Sequence, residues 1–132
     1  MLNEVKSHFT RKKYFVLLAV LLFSINISAQ NNGIKSKVTF VELGSVNCIP
    51  CKQMQPVMKA IEEKYGDQVN VVFYDVWKED QKKYSKQYGI RLIPTQVFLD
   101  ANGNEFHRHE GFYPEAEIDK ILQGKGLKPK KS

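Results

Sequence analysis

Cysteine is nearly absent: the 132 residues hold two, at positions 48 and 51. A bond between residues three apart closes a very small loop and removes little entropy from the unfolded chain, so this pair is a poor structural staple. Chemistry explains it better. Long apolar runs are also missing, since the longest, Tyr14 to Ile25, spans 12 residues where a membrane-spanning helix needs ~20. No cysteine stands directly after that run, which excludes lipid attachment there. Internal repeats are absent, and low complexity is confined to the terminal lysines. The body of the chain also lacks a surplus of positive charge, despite a formal net charge of +6. Eight of the 20 cations lie near the ends (Lys6, Arg11, Lys12, Lys13; Lys125, Lys128, Lys130, Lys131), leaving 12 against 13 carboxylates once Glu4 is set aside. Like charges at chain ends are usually solvated tails, so no nucleic-acid partner is expected. Weak contact of the signal or the basic tail with an anionic membrane surface stays open.

What is present begins with a leader. Arg11-Lys12-Lys13, the apolar run, and then Asn26-Ile27-Ser28-Ala29-Gln30 have the order of a secretory signal. Cleavage is expected near Ala29; a retained membrane anchor is the rival reading. The expected organisation is a signal over 1–29, a polar linker over 30–36, one domain over 37–124 and a basic tail over 125–132. About 100 mature residues can bury one modest core.

Periodicity and turn residues then place the elements. Val38 to Leu43 reads as a strand rich in apolar and β-branched residues, followed by a loop with Asn47 at a plausible cap position. From Cys51 to Tyr65, Met54, Val57, Met58, Ile61 and Tyr65 recur at helical spacing, and Pro56 lies inside that helix, where it removes a ladder bond. Val69 to Val76 is a second strand, nearly continuous in apolar residues as in a parallel sheet. A polar helix is expected over 79–88, then a strand from Thr95 to Leu99. Asn102-Gly103 is a hairpin turn, with Glu105 to Glu110 returning as the fourth strand. Pro114 to Gln123 closes as a helix with Ile118, Ile121 and Leu122 inward. Trp77, with Tyr74 and Tyr84, is expected to pack near the end of the second strand.

Cys48-Ile49-Pro50-Cys51 thus stands between a strand and a helix. A helix starting at the first sulfur aims its unpaired N–H groups and positive dipole end at it, and so stabilises the thiolate that attacks disulfides. The second thiol lies one turn along, near enough to close a ring.

This element order, with Cys-x-Pro-Cys after the first strand, resembles the thioredoxin family in a short form. Cys48-Ile49-Pro50-Cys51-Lys52 resembles its active-site segment, and Pro56 falls where its members kink that helix. Tyr88-Gly89-Ile90-Arg91-Leu92-Ile93-Pro94-Thr95 looks like the segment that carries the family's cis-proline. Phe98 to Gly103 and Gly111 follow as the hairpin and its glycine. The resemblance covers Val38 to about Leu122. It implies an α/β thioredoxin-like fold, β-α-β-α-β-β-α, with a central four-stranded mixed sheet flanked by helices. Three departures stand out: Asn47 replaces a tryptophan and Val46 its neighbour, Glu42 replaces a buried aspartate, and Phe73 replaces the lysine that often partners it.

The resemblance implies the roles. Cys48 is the nucleophile that forms a mixed disulfide, and Cys51 resolves it. Pro50 restricts the chain so that the sulfurs meet. Glu42, if buried below Cys51, would have a raised pKa suited to taking the Cys51 proton; a solvent-facing strand glutamate is the alternative. Pro94 would be cis, bringing Ile93 and Thr95 beside Cys48 to bind an extended substrate together with Ile49 and Pro50. No cofactor or metal is expected. His107 and His109 could join the cysteines as zinc ligands, but a solvated strand face is the more frequent explanation of such a pair.

Strong oxidants of this superfamily place a histidine between the cysteines, whereas Ile49-Pro50 offers no charge or side-chain donor. The couple is therefore expected nearer thioredoxin's roughly −270 mV than an oxidase's roughly −120 mV. The expected function is a thiol–disulfide oxidoreductase outside the cytosol, in a bacterial periplasm, reducing disulfides in exported proteins. A membrane thiol-electron carrier would recharge it. The alternatives are an oxidase or isomerase on the same scaffold, a client-binding module, or a metal-binding accessory protein.

Overall fold

The structure is a computed structural model that describes residues 36–131. The expected signal, and the linker apart from its last residue, lie outside the described residues. The strands are β1 (Val38–Gly44), β2 (Val69–Asp75), β3 (Thr95–Asp100) and β4 (Glu105–Glu110). The helices are α1 (Ile49–Tyr65), α2 (Lys83–Gln87) and α3 (Glu115–Gly124), with a short 3-10 turn over Gly66–Gln68. This is the expected β-α-β-α-β-β-α order.

The four strands lie in the order β2-β1-β3-β4, with β1 parallel to β2 and the other neighbours antiparallel. β1 is central and buried on both faces, which is why its sequence is mostly apolar, with Glu42 a buried polar exception. Alternation along a strand sends Val38 and Phe40 to one face, where they meet Met54, Ile61 and Tyr65 of α1 and Ile118 and Leu122 of α3. Val41 and Leu43 go to the other face, against Val76, Val97 and the partly buried Tyr74, Tyr84 and Tyr88. Lys64 on α1 pairs with Glu115 and Asp119 on α3, and the Tyr65 hydroxyl donates to Asp119, pinning the two helices together.

Several expectations change. The second helix runs only from Lys83 to Gln87, because turns occupy the preceding residues and the Gln81 side chain accepts from the Asp75 N–H at 2.8 Å. Trp77 projects into solvent, 61% exposed, while Tyr74 and Tyr84 stack on each other without it. His107 and His109 do not form a solvated face. Paired with Phe98 and Gln96, they lie on the α1/α3 side of the sheet, half-buried; His107 Nε2 is 2.9 Å from the Tyr113 hydroxyl and the His109 ring stacks on Tyr113. The segment read as a basic tail keeps its lysine side chains exposed, yet Leu127 is 2% exposed within the main core and the Lys130 N–H donates to the Lys64 carbonyl. Gln68 gathers both ends of the domain. Its carbonyl accepts from the Lys37 N–H, and its side-chain amide exchanges two hydrogen bonds with the Lys128 backbone.

Candidate active site

The site grows from the C-terminal end of β1. After Gly44 the chain turns through Ser45, whose carbonyl accepts from the Cys48 N–H and whose hydroxyl oxygen accepts from the Asn47 N–H. Cys48 is then the N-cap of α1 in extended backbone, and its sulfur accepts from the Cys51 N–H at 3.3 Å. A sulfur in that role sits at the positive end of the helix, where negative charge on it is stabilised. Pro50 occupies the first helical turn, where its missing N–H costs nothing.

Cys48 and Cys51 are joined as a disulfide, with Cα atoms 5.2 Å apart. Their surroundings differ. Cys48 retains slight exposure at the surface, whereas Cys51 is fully buried. Of the two cysteines, only Cys48 touches the surface at all. Under Cys51 lies Gly44, where a Cβ would come within 3.2 Å of both the Cβ and the Sγ of Cys51. The glycine lets the helix settle against bare strand backbone.

Glu42 lies two residues before Gly44 on the same face of β1, one pleat repeat from the strand position beneath Cys51. It is fully buried, not solvent-facing, and neither carboxylate oxygen has a hydrogen-bond partner. Burial pushes its pKa up to about 8, because the charged form loses its water. Phe73 flanks it from β2 and Gln96 from β3.

The Ile93-Pro94 peptide is cis. Thr95 pairs with Leu43, which sets Pro94 level with Gly44 at the same end of the sheet as the cysteines. Thr95 is buried, and its hydroxyl donates to the Leu92 carbonyl at 2.7 Å, so its side chain fastens the loop. Ile93 is half-buried against the second core cluster. Ile49 and Pro50 are exposed beside the disulfide.

Three contributions escaped the sequence reading. Asp75, buried at the end of β2, accepts from the Trp77 N–H at 3.2 Å and the Val46 N–H at 3.4 Å, so one carboxylate ties the cysteine loop to the next loop. Gln96 is the second, buried beside Glu42. The third is collective. The large apolar residues exposed among those described are Val46, Ile49, Trp77, Leu92 and Phe112, each between 44% and 75% exposed. All five lie on segments at the cysteine end of the sheet. Scattered exposed apolar residues mean little, but their concentration at one end marks a contact surface. A signal for Trp77 and Phe112 was available in the sequence, as aromatics placed two residues past strand ends.

Comparison with known proteins bears on what this geometry does. Residues 25–125 match the family model described as Thioredoxin-like domain. Thioredoxin Y, chloroplastic, of Oryza sativa subsp. japonica is 33% identical over 85 residues, covering 62% of this chain and 47% of that protein. Thioredoxin-like protein HCF164, chloroplastic, of Arabidopsis thaliana is 35% identical over 77 residues, covering 58% of this chain and 28% of that protein. The chain thus spans about half or less of the length of these two relatives. Among solved structures, the thioredoxin of Malassezia sympodialis superposes with a TM-score of 0.57 at 29% identity, covering 70% of this chain and 80% of that one.

Proposed function

From the premise that the chain belongs to the thioredoxin-like family, we propose that it is a thiol–disulfide oxidoreductase that reduces disulfides in extracytoplasmic proteins. The observation that carries this is the unequal pair: a helix-capping cysteine that keeps slight surface exposure and a fully buried cysteine one turn behind it. In the reduced form the Cys48 thiolate attacks a client disulfide, forming a Cys48–client bond and expelling the other client sulfur. Cys51 passes its proton to the Glu42 carboxylate, attacks the Cys48 sulfur and expels the second client thiolate, which takes a proton from water. Two electrons leave the cysteine sulfurs and the protein returns to the disulfide seen here.

The remaining residues act around that exchange. Ile49, Pro50, Ile93, Pro94 and Thr95 shape the place where the client strand lies, and the exposed apolar residues grip clients whose own apolar side chains are accessible, as in unfolded exported chains. Ile49-Pro50 supplies no charge to stabilise a thiolate further, which favours reduction over oxidation. The signal-like leader supports an extracytoplasmic location, in a periplasm. A membrane thiol-electron carrier would restore the dithiol, there being no cytosolic reductant in that compartment.

The test is insulin-disulfide reduction with Cys48→Ser, which should abolish turnover. Retained turnover would overturn the assignment. Equilibration against glutathione tests direction, since a potential above about −170 mV would make the protein an oxidant.

A further inference from the structure

Among the described residues, three buried side-chain oxygens have no hydrogen-bond partner: both carboxylate oxygens of Glu42 and Oε1 of Gln96. Unpaired buried polar atoms are costly and rare, so three in one place call for a common explanation. Glu42 and Gln96 face each other as a register pair across β1 and β3, and both side chains are fully buried. All three orphans are oxygens. What the cluster lacks is a hydrogen atom, and a protonated Glu42 supplies one.

The Gln96 amide has two hydrogens. One is committed, since Nε2 donates to the Gly111 carbonyl at 3.1 Å, while the Gly111 N–H donates to the Pro94 carbonyl at 2.7 Å. The Gly111 peptide is thus held at both ends, and Gln96 cannot turn away from Glu42 without releasing it. That leaves Oε1 and the second amide hydrogen for Glu42. An amide is a neutral side chain with both an acceptor and a donor. It therefore suits a neighbour that alternates between acid and carboxylate.

We propose that Gln96 is a positioning residue for Glu42, accepting a hydrogen bond from the acid when the cysteines are joined and donating one to the carboxylate before Cys51 gives up its proton. The proposal rests on the reading of Glu42 as the group that exchanges protons with Cys51. The register neighbour of Glu42 on β2 is the apolar Phe73, Cys51 on α1 sits over Gly44 one pleat repeat away and is held in the disulfide, and no ion pair of the described residues includes Glu42. His109 follows Gln96 in the cross-strand row but is engaged with the Phe112 carbonyl and the Tyr113 ring. The raised pKa of Glu42 fits a carboxyl that keeps its proton in the disulfide form.

The experiment is an NMR titration of the full disulfide-bonded chain, following the Glu42 carboxyl carbon and the Gln96 side-chain amide. The amide signals should move with the same midpoint as Glu42. Flat amide signals, as a buried water serving Glu42 in place of Gln96 would give, overturn the proposal without any variant having to fold. In Gln96→Met the acceptor and donor are both lost. Because the lost bond to the charged form is the stronger one, the proton should be held roughly tenfold more tightly. The alkaline shift should appear equally in the pH profile of client reduction. An unchanged or lowered midpoint overturns the pairing. Glu42→Gln separates the two claims: an unaltered rate and pH profile there overturns proton exchange by Glu42, whereas a slowed variant beside flat Gln96 signals overturns only the role of Gln96.

Discussion

Replacing Glu42 by glutamine should make the oxidised protein more stable, by an amount that grows with pH. The unfolded chain releases the Glu42 proton near the ordinary value of 4.5, while the folded protein holds it to about 8. Below 4.5 both states carry the proton and Glu42 adds no pH dependence. Between the two values the folded state alone carries it, so stability falls as pH rises, and the loss is complete once the pH has passed about 8. Each pH unit in that window is worth about 1.4 kcal/mol, so the full loss is about 5 kcal/mol, of which about 3 kcal/mol has gone by pH 7. No discount for solvent screening applies, since the side chain is fully buried. Set against the roughly 5–15 kcal/mol that holds a typical domain together, this is a large sacrifice. Denaturant unfolding of wild type and Glu42→Gln, with the disulfide intact, at intervals from pH 4 to 9, gives the measurement. Other titrating groups such as His107 cancel in the difference. The gap between the two proteins should widen in favour of the variant across the window and level off above pH 8. Parallel curves would refute the reasoning, for they would mean that folding does not perturb this carboxyl.

Three further outcomes are expected. Leu127→Ala should cost about 2–4 kcal/mol in denaturant unfolding and leave the rate of client reduction unchanged, because its side chain fills the main core next to Lys128, which Gln68 holds at the end of the sheet opposite the cysteines. Gly44→Ala places a methyl 3.2 Å from Cys51 against buried neighbours; it should destabilise by about 1–3 kcal/mol and slow the second thiol step, seen as a longer-lived Cys48–client adduct in acid-quenched mass spectra. Trp77→Ser with Phe112→Ser removes two exposed aromatics beside the site. That pair should lower kcat/KM for an unfolded protein client by about tenfold, with little change for a small aromatic disulfide.

The sheet, α1 and the hairpin were legible because their signals are local. β-branched runs, helical spacing and Asn102-Gly103 each report on a few neighbouring residues. The cysteine pair and Pro94 were legible through motif and resemblance together. What escaped depends on contacts distant in sequence. The helix expected from residue 79 is shortened by the bond from Gln81 to a strand end. Leu127, one apolar residue among lysines, is drawn into the core by Gln68 and Lys64, about 60 positions away. Gln96 stands in the apolar run of β3, and only the pairing with Glu42 reveals which face it shares and why a polar side chain is there. The histidines reverse their expected side for the same reason, since Tyr113 waits on the inner face.

Gln68 carries one last consequence. It clasps the backbone where the domain begins, at Lys37, and again where it finishes, at Lys128. Because β2 starts just after it and the cysteines follow the far end of β1, both attachment points sit at the heel of the molecule while the redox pair sits at its toe. A tether attached at either of those two points would leave the cysteine end of the domain facing away from it.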